Sequence, residues 1–269
     1  MRKILAFAAL LTAGLASLSA FADVKPQRTQ LDGGRAESVL WVGNSFFYYN
    51  NGINGMMSGL SQAAGTEHRL RNVMMTIGGS GIDWHDLEAY LKPGSKIGYY
   101  SFVGDNEVRF NQPGRQFDTV VVMDCSQCPI HPQLKEVFHE YAKKDADIAR
   151  KYGARPVFFM SWAYKDKPEM TAQLAEAYTR EANANDALVI PAGLAFAKAI
   201  ERRPDLELYQ PDKRHPQRIG SYLAACTAFA ALTGASPVGN TFTGGIDKET
   251  AAFLQQVAWD TVREYYRKN

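Results

Sequence analysis

Cysteine is scarce: Cys125, Cys128 and Cys226 are the only three in 269 residues. An odd count allows at most one internal disulfide and leaves one thiol over, which excludes a disulfide-stapled scaffold. A zinc site needs about four ligands, and His131 alone lies near the cysteines in sequence, so no metal is expected. Charge of one sign is also lacking, with 30 Lys and Arg against 28 Asp and Glu. The basic residues are scattered, so nothing points to nucleic acid as a partner. Beyond the N-terminus no run is apolar enough to cross a bilayer. No internal repeat, low-complexity segment or linker marks a second domain.

The N-terminus reads as an export signal. Arg2 and Lys3 begin it, an apolar run follows from Ile4 to about Leu18, and Ala20-Phe21-Ala22 fits a small-x-small cleavage pattern. Residues 1–22 are therefore expected to be removed, and no cysteine follows the cleavage point to carry a lipid. The expectation is an exported protein, periplasmic or secreted, with no stable membrane insertion and one domain over residues 23–269. The leader holds two of the 30 basic residues, so the remainder balances 28 against 28. That length suits a single α/β domain with a sizeable core.

Strand and helix patterns alternate along this domain. Apolar strands are expected at Ser38–Val42, Arg69–Ile77, Thr119–Met123, Pro156–Ser161 and Ala187–Ile190. Val120-Val121-Val122 leaves no polar face, which marks a strand buried on both sides. Helices are expected at Gly52–Ala64, Ile82–Leu91, Gln133–Tyr152, Glu169–Asn185, about Pro191–Arg202, Pro216–Thr233 and Lys248–Arg267, with Gly153 as a C-cap. Lys92–Phe117 has weak periodicity and reads as an irregular insertion. The alternation predicts an α/β fold: three layers around a doubly wound, parallel five-stranded sheet, flavodoxin-like. In such sheets the ligand site lies beyond the carboxyl ends of the strands. Ser45, the Gly78–Gly81 loop and the Asp124–Cys128 loop each follow a strand, so they should share one rim.

Two segments carry the chemistry. Val39-Leu40-Trp41-Val42-Gly43-Asn44-Ser45-Phe46 is a short strand that breaks at a glycine and presents a serine. Far downstream, Asp212-Lys213-Arg214-His215-Pro216 sets an acid and a base three residues apart. Pro216 favours a helix start just after His215, which leaves both in the preceding loop. That spacing lets the carboxylate reach Nδ1 while Nε2 points outward. A serine hydroxyl is a poor nucleophile until a base takes its proton, and a carboxylate holds the base in the right tautomer. Ser45, Asp212 and His215 are the candidate catalytic residues.

These segments resemble the SGNH (GDSL-like) hydrolases. Val42-Gly43-Asn44-Ser45-Phe46 is similar to the family's first block, in a variant where Gly-Asn-Ser replaces Gly-Asp-Ser. Gly78-Gly79-Ser80-Gly81 with His85 resembles the second block, and Asp212 to Pro216 followed by Gly220-Ser221-Tyr222-Leu223 resembles the last. The resemblance implies the SGNH hydrolase fold, with Ser45 as nucleophile, His215 as general base and acid, and Asp212 as its orienting partner. It also implies an oxyanion hole built from the N–H of Ser45 and that of Gly79 or Gly81. Asn44 and His85 are candidates for lining the pocket. The family's third block offers an Asn side chain to the oxyanion. The matching stretch, Met123-Asp124-Cys125-Ser126-Gln127, has none, leaving Ser126 or Gln127 to donate instead.

The leading expectation is a serine esterase acting on a small-molecule or saccharide ester through an acyl-enzyme, with no cofactor. A binding module with a decayed site is the alternative, because losing one oxyanion donor typically costs about a hundred- to a thousandfold in rate. A thiol-disulfide protein using the Cys125-Ser126-Gln127-Cys128 motif is a third, although Pro129 and Pro132 follow closely where a redox pair usually opens a helix. A structural disulfide joining Cys125 to Cys128, or either of them to Cys226, is expected instead. Trp84, Tyr48 and Tyr49 sit near the predicted rim, where aromatic rings can stack on a sugar or acyl group. His68, His131 and His139 have no partner pattern and read as surface residues.

Overall fold

The structure, a computed structural model, describes residues 24–65, 70–104, 107–110 and 115–267. The expected leader over residues 1–22, and His68, lie outside them. Five strands, β1 (Ser38–Gly43), β2 (Arg71–Thr76), β5 (Thr119–Val122), β6 (Arg155–Phe159) and β7 (Leu188–Ile190), form one sheet. Its order is β2-β1-β5-β6-β7, and every pair is parallel.

The alternation of side chains along each strand explains the three layers. Val39 and Trp41 of β1, Val121 of β5, and Val157 and Phe159 of β6 enter one core cluster. Their neighbours Leu40, Val42, Val120, Val122 and Phe158 enter a second cluster on the opposite face. The first is covered by α2 (Ile53–Ala64), α6 (Ala192–Arg202), α7 (Arg218–Thr233) and α8 (Lys248–Tyr265). The second is covered by α3 (Leu87–Leu91), α4 (Lys135–Lys151) and α5 (Met170–Ala184). Each fully buried Val, Leu or Phe stabilises the fold by roughly 1.5–3 kcal/mol relative to its exposed state. Helix α7 is buried continuously from Gly220 to Leu232, as its all-round apolar sequence requires. Helix α4 ends as expected, with Gly153 left-handed and Ala154 N–H returning to the Ala149 carbonyl. Among the described residues no helix is long and apolar enough to cross a membrane.

Two expectations need correction. Lys92–Phe117 is not wholly irregular: β3 (Tyr100–Gly104) and β4 (Glu107–Phe110) pair antiparallel as a separate two-stranded sheet. These strands are too short to show a period in sequence. The helix expected over Ile82–Leu91 splits into a 3-10 turn at Ile82–Trp84 and α3. His85 is extended between them, and the Asp86 side chain restarts the helix by accepting from Ala89 N–H.

Candidate active site

Strand β1 ends at Gly43, and a four-residue helix, α1 (Ser45–Tyr48), begins immediately. A side chain at position 43 would lie 2.9 Å from the Phe47 ring, so only glycine admits so tight a turn. Asn44 caps α1, its Oδ1 accepting from Phe46 N–H at 3.2 Å. Ser45 thus stands at a helix start just beyond the carboxyl end of β1, and no described residue accepts from its backbone N–H.

His215 reaches it from the loop before α7. His215 Nε2 lies 2.8 Å from Ser45 Oγ. On the other side of the ring, Nδ1 lies 2.5 Å from Asp212 Oδ2. Asp212 Oδ1 accepts from the N–H groups of Arg214 and His215 at 2.9 and 3.0 Å, so the carboxylate is held by the turn it sits on. Partial burial pushes this carboxyl up, but the imidazole and the two N–H groups outweigh it and hold it near 2. It is ionised at neutral pH, and Nδ1 therefore carries the ring's proton. Nε2 is left as the acceptor facing the hydroxyl.

The loop itself is tied down on all sides. Gln210 N–H donates to the His215 carbonyl at 2.8 Å, and Trp162 Nε1 donates to the Arg214 carbonyl at 2.9 Å. Tyr49 stacks on the His215 ring with centroids 4.3 Å apart and planes 11° apart. Asn50, left-handed at φ 55°, donates from Nδ2 to the Pro216 carbonyl and to Ser221 Oγ, both at 2.8 Å. The segment that follows Ser45 is thereby bolted to the segment that carries His215.

The second block borders the same rim. Gly79 is left-handed at φ 73° with open space around it, and Gly81 precedes the 3-10 turn. No described residue accepts from the N–H of either, so both remain open donors beside Ser45 N–H.

No family model matches the chain, and no curated protein matches it. Solved structures do. A DUF4886 family protein from Bacteroides uniformis aligns with a TM-score of 0.60 at 21% identity, covering 87% of this chain and 97% of that one. A protein described as a candidate SGNH hydrolase from Slackia heliotrinireducens aligns at 0.54 and 22% identity, covering 73% and 98%. An acetylxylan esterase from Geobacillus stearothermophilus aligns at 0.53 and 18% identity, covering 77% and 99%. The chain has the SGNH-hydrolase fold.

Within this SGNH fold, Asn44 and His85 do not line an open pocket. Asn44 is buried, and its Nδ2 donates to the carbonyls of Ser80 and Asp124, both at 3.1 Å. His85 is buried as well, with Nε2 2.9 Å from the Gly43 carbonyl and 3.1 Å from Ser80 Oγ. Burial lowers its pKa, so it is a neutral donor to that carbonyl rather than a charge at the site. Both residues brace the first block against the second.

The third block departs from expectation too. Ser126 Oγ pairs with Tyr164 Oη at 2.7 Å, and Gln127 is exposed; neither is hydrogen-bonded to Ser45 or His215 among the described residues. Asp124 instead joins three segments of this rim. Its carbonyl takes Asn44 Nδ2, while its Oδ1 accepts from Ile82 N–H at 2.8 Å and Cys125 N–H at 2.7 Å. Among the described residues its Oδ2 is buried without a partner, and burial pushes its carboxyl up to about 6. Cys125 and Cys128 form a disulfide beside it, while Cys226 is a buried free thiol in α7. Pairing through Cys226 is thus excluded, and the two sulfurs next to Asp124 are spent on each other. His131 and His139 are on or near the surface, where His139 Nδ1 meets Glu181 at 2.8 Å. Sequence reasoning missed Asp124 and Asn50, whose partners lie in distant segments.

Proposed function

We propose that this protein is an exported serine esterase that hydrolyses carboxylic esters. The observation that carries the proposal is the relay from Asp212 Oδ2 through His215 to Ser45 Oγ, at 2.5 and 2.8 Å. In the first step His215 Nε2 takes the Ser45 proton as Oγ attacks the ester carbonyl. Charge develops on the carbonyl oxygen, where the N–H of Ser45 and that of Gly79 or Gly81 can receive it. The imidazolium then protonates the leaving alcohol, which departs and leaves an acyl group on Ser45. Water enters, gives a proton to Nε2 and attacks the acyl carbon. Collapse of the second tetrahedral species returns the proton to Ser45 and releases the acid. Asp212, held ionised, stabilises the imidazolium in both halves.

Acetyl or acyl esters of saccharides are the proposed substrates. Trp84 is 59% and Tyr48 41% exposed near the second block, offering rings on which a sugar can stack. The acetylxylan esterase among the structural neighbours acts on a substrate of that kind. Ser45→Ala should lower kcat on a short-chain aryl ester by roughly ten-thousandfold or more, with unchanged folding. A reactive-serine phosphonate should label the parent at Ser45 and leave Ser45→Ala untouched. An unlabelled, inactive parent would mean a binding module with a decayed site, and retained activity in Ser45→Ala would end the triad assignment.

A further inference from the structure

A second recess opens on the same rim of the sheet, beyond the ends of β6 and β7. It is a cavity of about 620 Å³ between the start of α5, α6 and the loops that flank them. None of Ser45, Asp212 and His215 lines it. Its size is that of a small-molecule site. The walls are apolar, from Ala163, Pro168, Ala172, Phe196, Ile200 and Leu206. Ile200 is 37% exposed there, an aliphatic side chain left open to water on a helix whose neighbours are packed.

Charge around the cavity is mostly negative. Glu169, Glu201, Asp205 and Glu207 border the cavity against a single Lys165. Lys165 is taken by Glu207, and Asp205 by Arg203 at 2.9 Å. Among the described residues no cation pairs with Glu169 or Glu201, so two free carboxylates stand over an apolar recess. We propose that this cavity is a binding site for an amphiphilic cation, its alkyl or aryl part among the apolar walls and its ammonium between Glu169 and Glu201. A neutral apolar ligand would gain the walls but not the mouth, and an anionic one would meet repulsion there.

The cavity adjoins the loop that carries Asp212 and His215. Phe196 forms part of the wall and stacks on Trp162 at 4.2 Å and 6°. Trp162 stacks in turn on Phe46, the residue after Ser45, at 4.6 Å and 1°. Three parallel rings therefore separate the two sites. The wall also bonds directly into the loop: Lys165 N–H donates to the Lys213 carbonyl at 2.9 Å, and Tyr209 Oη donates to the Ala163 carbonyl at 2.9 Å. A ligand in the cavity would lie beside the proposed triad and not within it, and its binding does not depend on the esterase reading.

The test is calorimetric titration of the full-length protein with decyltrimethylammonium below its micelle concentration. Decyl sulfate serves as the control of opposite sign. Saturable one-site binding of the cation is expected, equally in the parent and in Ser45→Ala, with weaker or no binding of the sulfate. Ala197→Trp should fill the recess and abolish binding without lowering Tm. The surface variant Glu169→Gln with Glu201→Gln, which leaves the walls intact, should weaken it roughly three- to tenfold. Absence of saturable heat in the parent would overturn the proposal. So would unchanged affinity in Ala197→Trp, or sulfate binding as tight as that of the cation.

Discussion

Converting Asn44 to Asp restores the Gly-Asp-Ser form of the first block, and on motif grounds alone it should be harmless. The structure says the opposite. Asn44 is 4% exposed, and both hydrogens of Nδ2 are committed to carbonyls, those of Ser80 and Asp124, at 3.1 Å. A carboxylate there has no hydrogen to offer. It would face two carbonyl oxygens and leave both short of a donor, each worth about 1–3 kcal/mol when buried. The retained Oδ1 contact to Phe46 N–H offsets little of this. With a buried charge lacking a counter-ion, Asn44→Asp should cost about 3–5 kcal/mol at pH 8. In a domain of this size that lowers Tm by roughly 6–20 °C. The penalty belongs to the ionised form, which burial disfavours in the folded state. It should shrink as pH falls and the introduced carboxyl takes up a proton, regaining one donor. Urea midpoints at pH 5 and pH 8, for parent, Asn44→Asp and the uncharged Asn44→Ala, measure this directly. If Asn44→Asp matches the parent at pH 8, the bracing role assigned to Asn44 is wrong.

Three further outcomes follow from the same geometry. Tyr49→Leu removes the ring stacked on His215 and should lower kcat about ten- to a hundredfold with KM nearly unchanged. Tyr49→Phe keeps the stack and should restore the parent rate; failure of that rescue would refute a role through stacking. Asp145 in α4 is buried with Oδ2 unpartnered among the described residues, and burial pushes its carboxyl up to about 7, with Lys144 opposing the rise and Asp124 adding to it. Asp124 and Asp145 both bind protons more tightly folded than unfolded. Unfolding free energy should therefore fall as pH rises from about 4 towards 7, and Asp145→Asn should flatten that slope and be the more stable form at pH 8. Urea titrations across that range would show it, and a parallel shift of the whole curve would count against it. The disulfide of Cys125 with Cys128 closes a very short loop, so replacing both by Ser should cost only about 2 kcal/mol by chemical denaturation.

The strands of the sheet were legible because their chemistry is local. Val120-Val121-Val122 can only be buried on both faces, and the alternation of strand and helix implies parallel pairing. The Asp212 and His215 pair was legible for a similar reason: a spacing of three in a turn closes its own hydrogen bonds. What stayed hidden depends on strand order. Asn44 and His85 read as pocket residues because their partners, the carbonyls of Ser80, Asp124 and Gly43, come near only once β2 and β5 flank β1. The disulfide was ambiguous because three cysteines permit three pairings. Only the packing of Cys226 inside α7 decides among them. The hairpin of β3 and β4 escaped notice because its strands are too brief to carry a pattern.

Asn50 and its two acceptors bear on how such a chain comes into being. Ser45 and His215 stand 170 positions apart, and the clamp joining their segments ends on Ser221. During synthesis the hydroxyl emerges early, onto a half-made sheet, and must wait for nearly the whole polypeptide before an imidazole arrives. A truncated or stalled product would hold an inert alcohol at that edge. Nucleophilic reactivity at this serine would thus report, in a single measurement, that the loop before the seventh helix has been made and has folded back onto the end of the first strand.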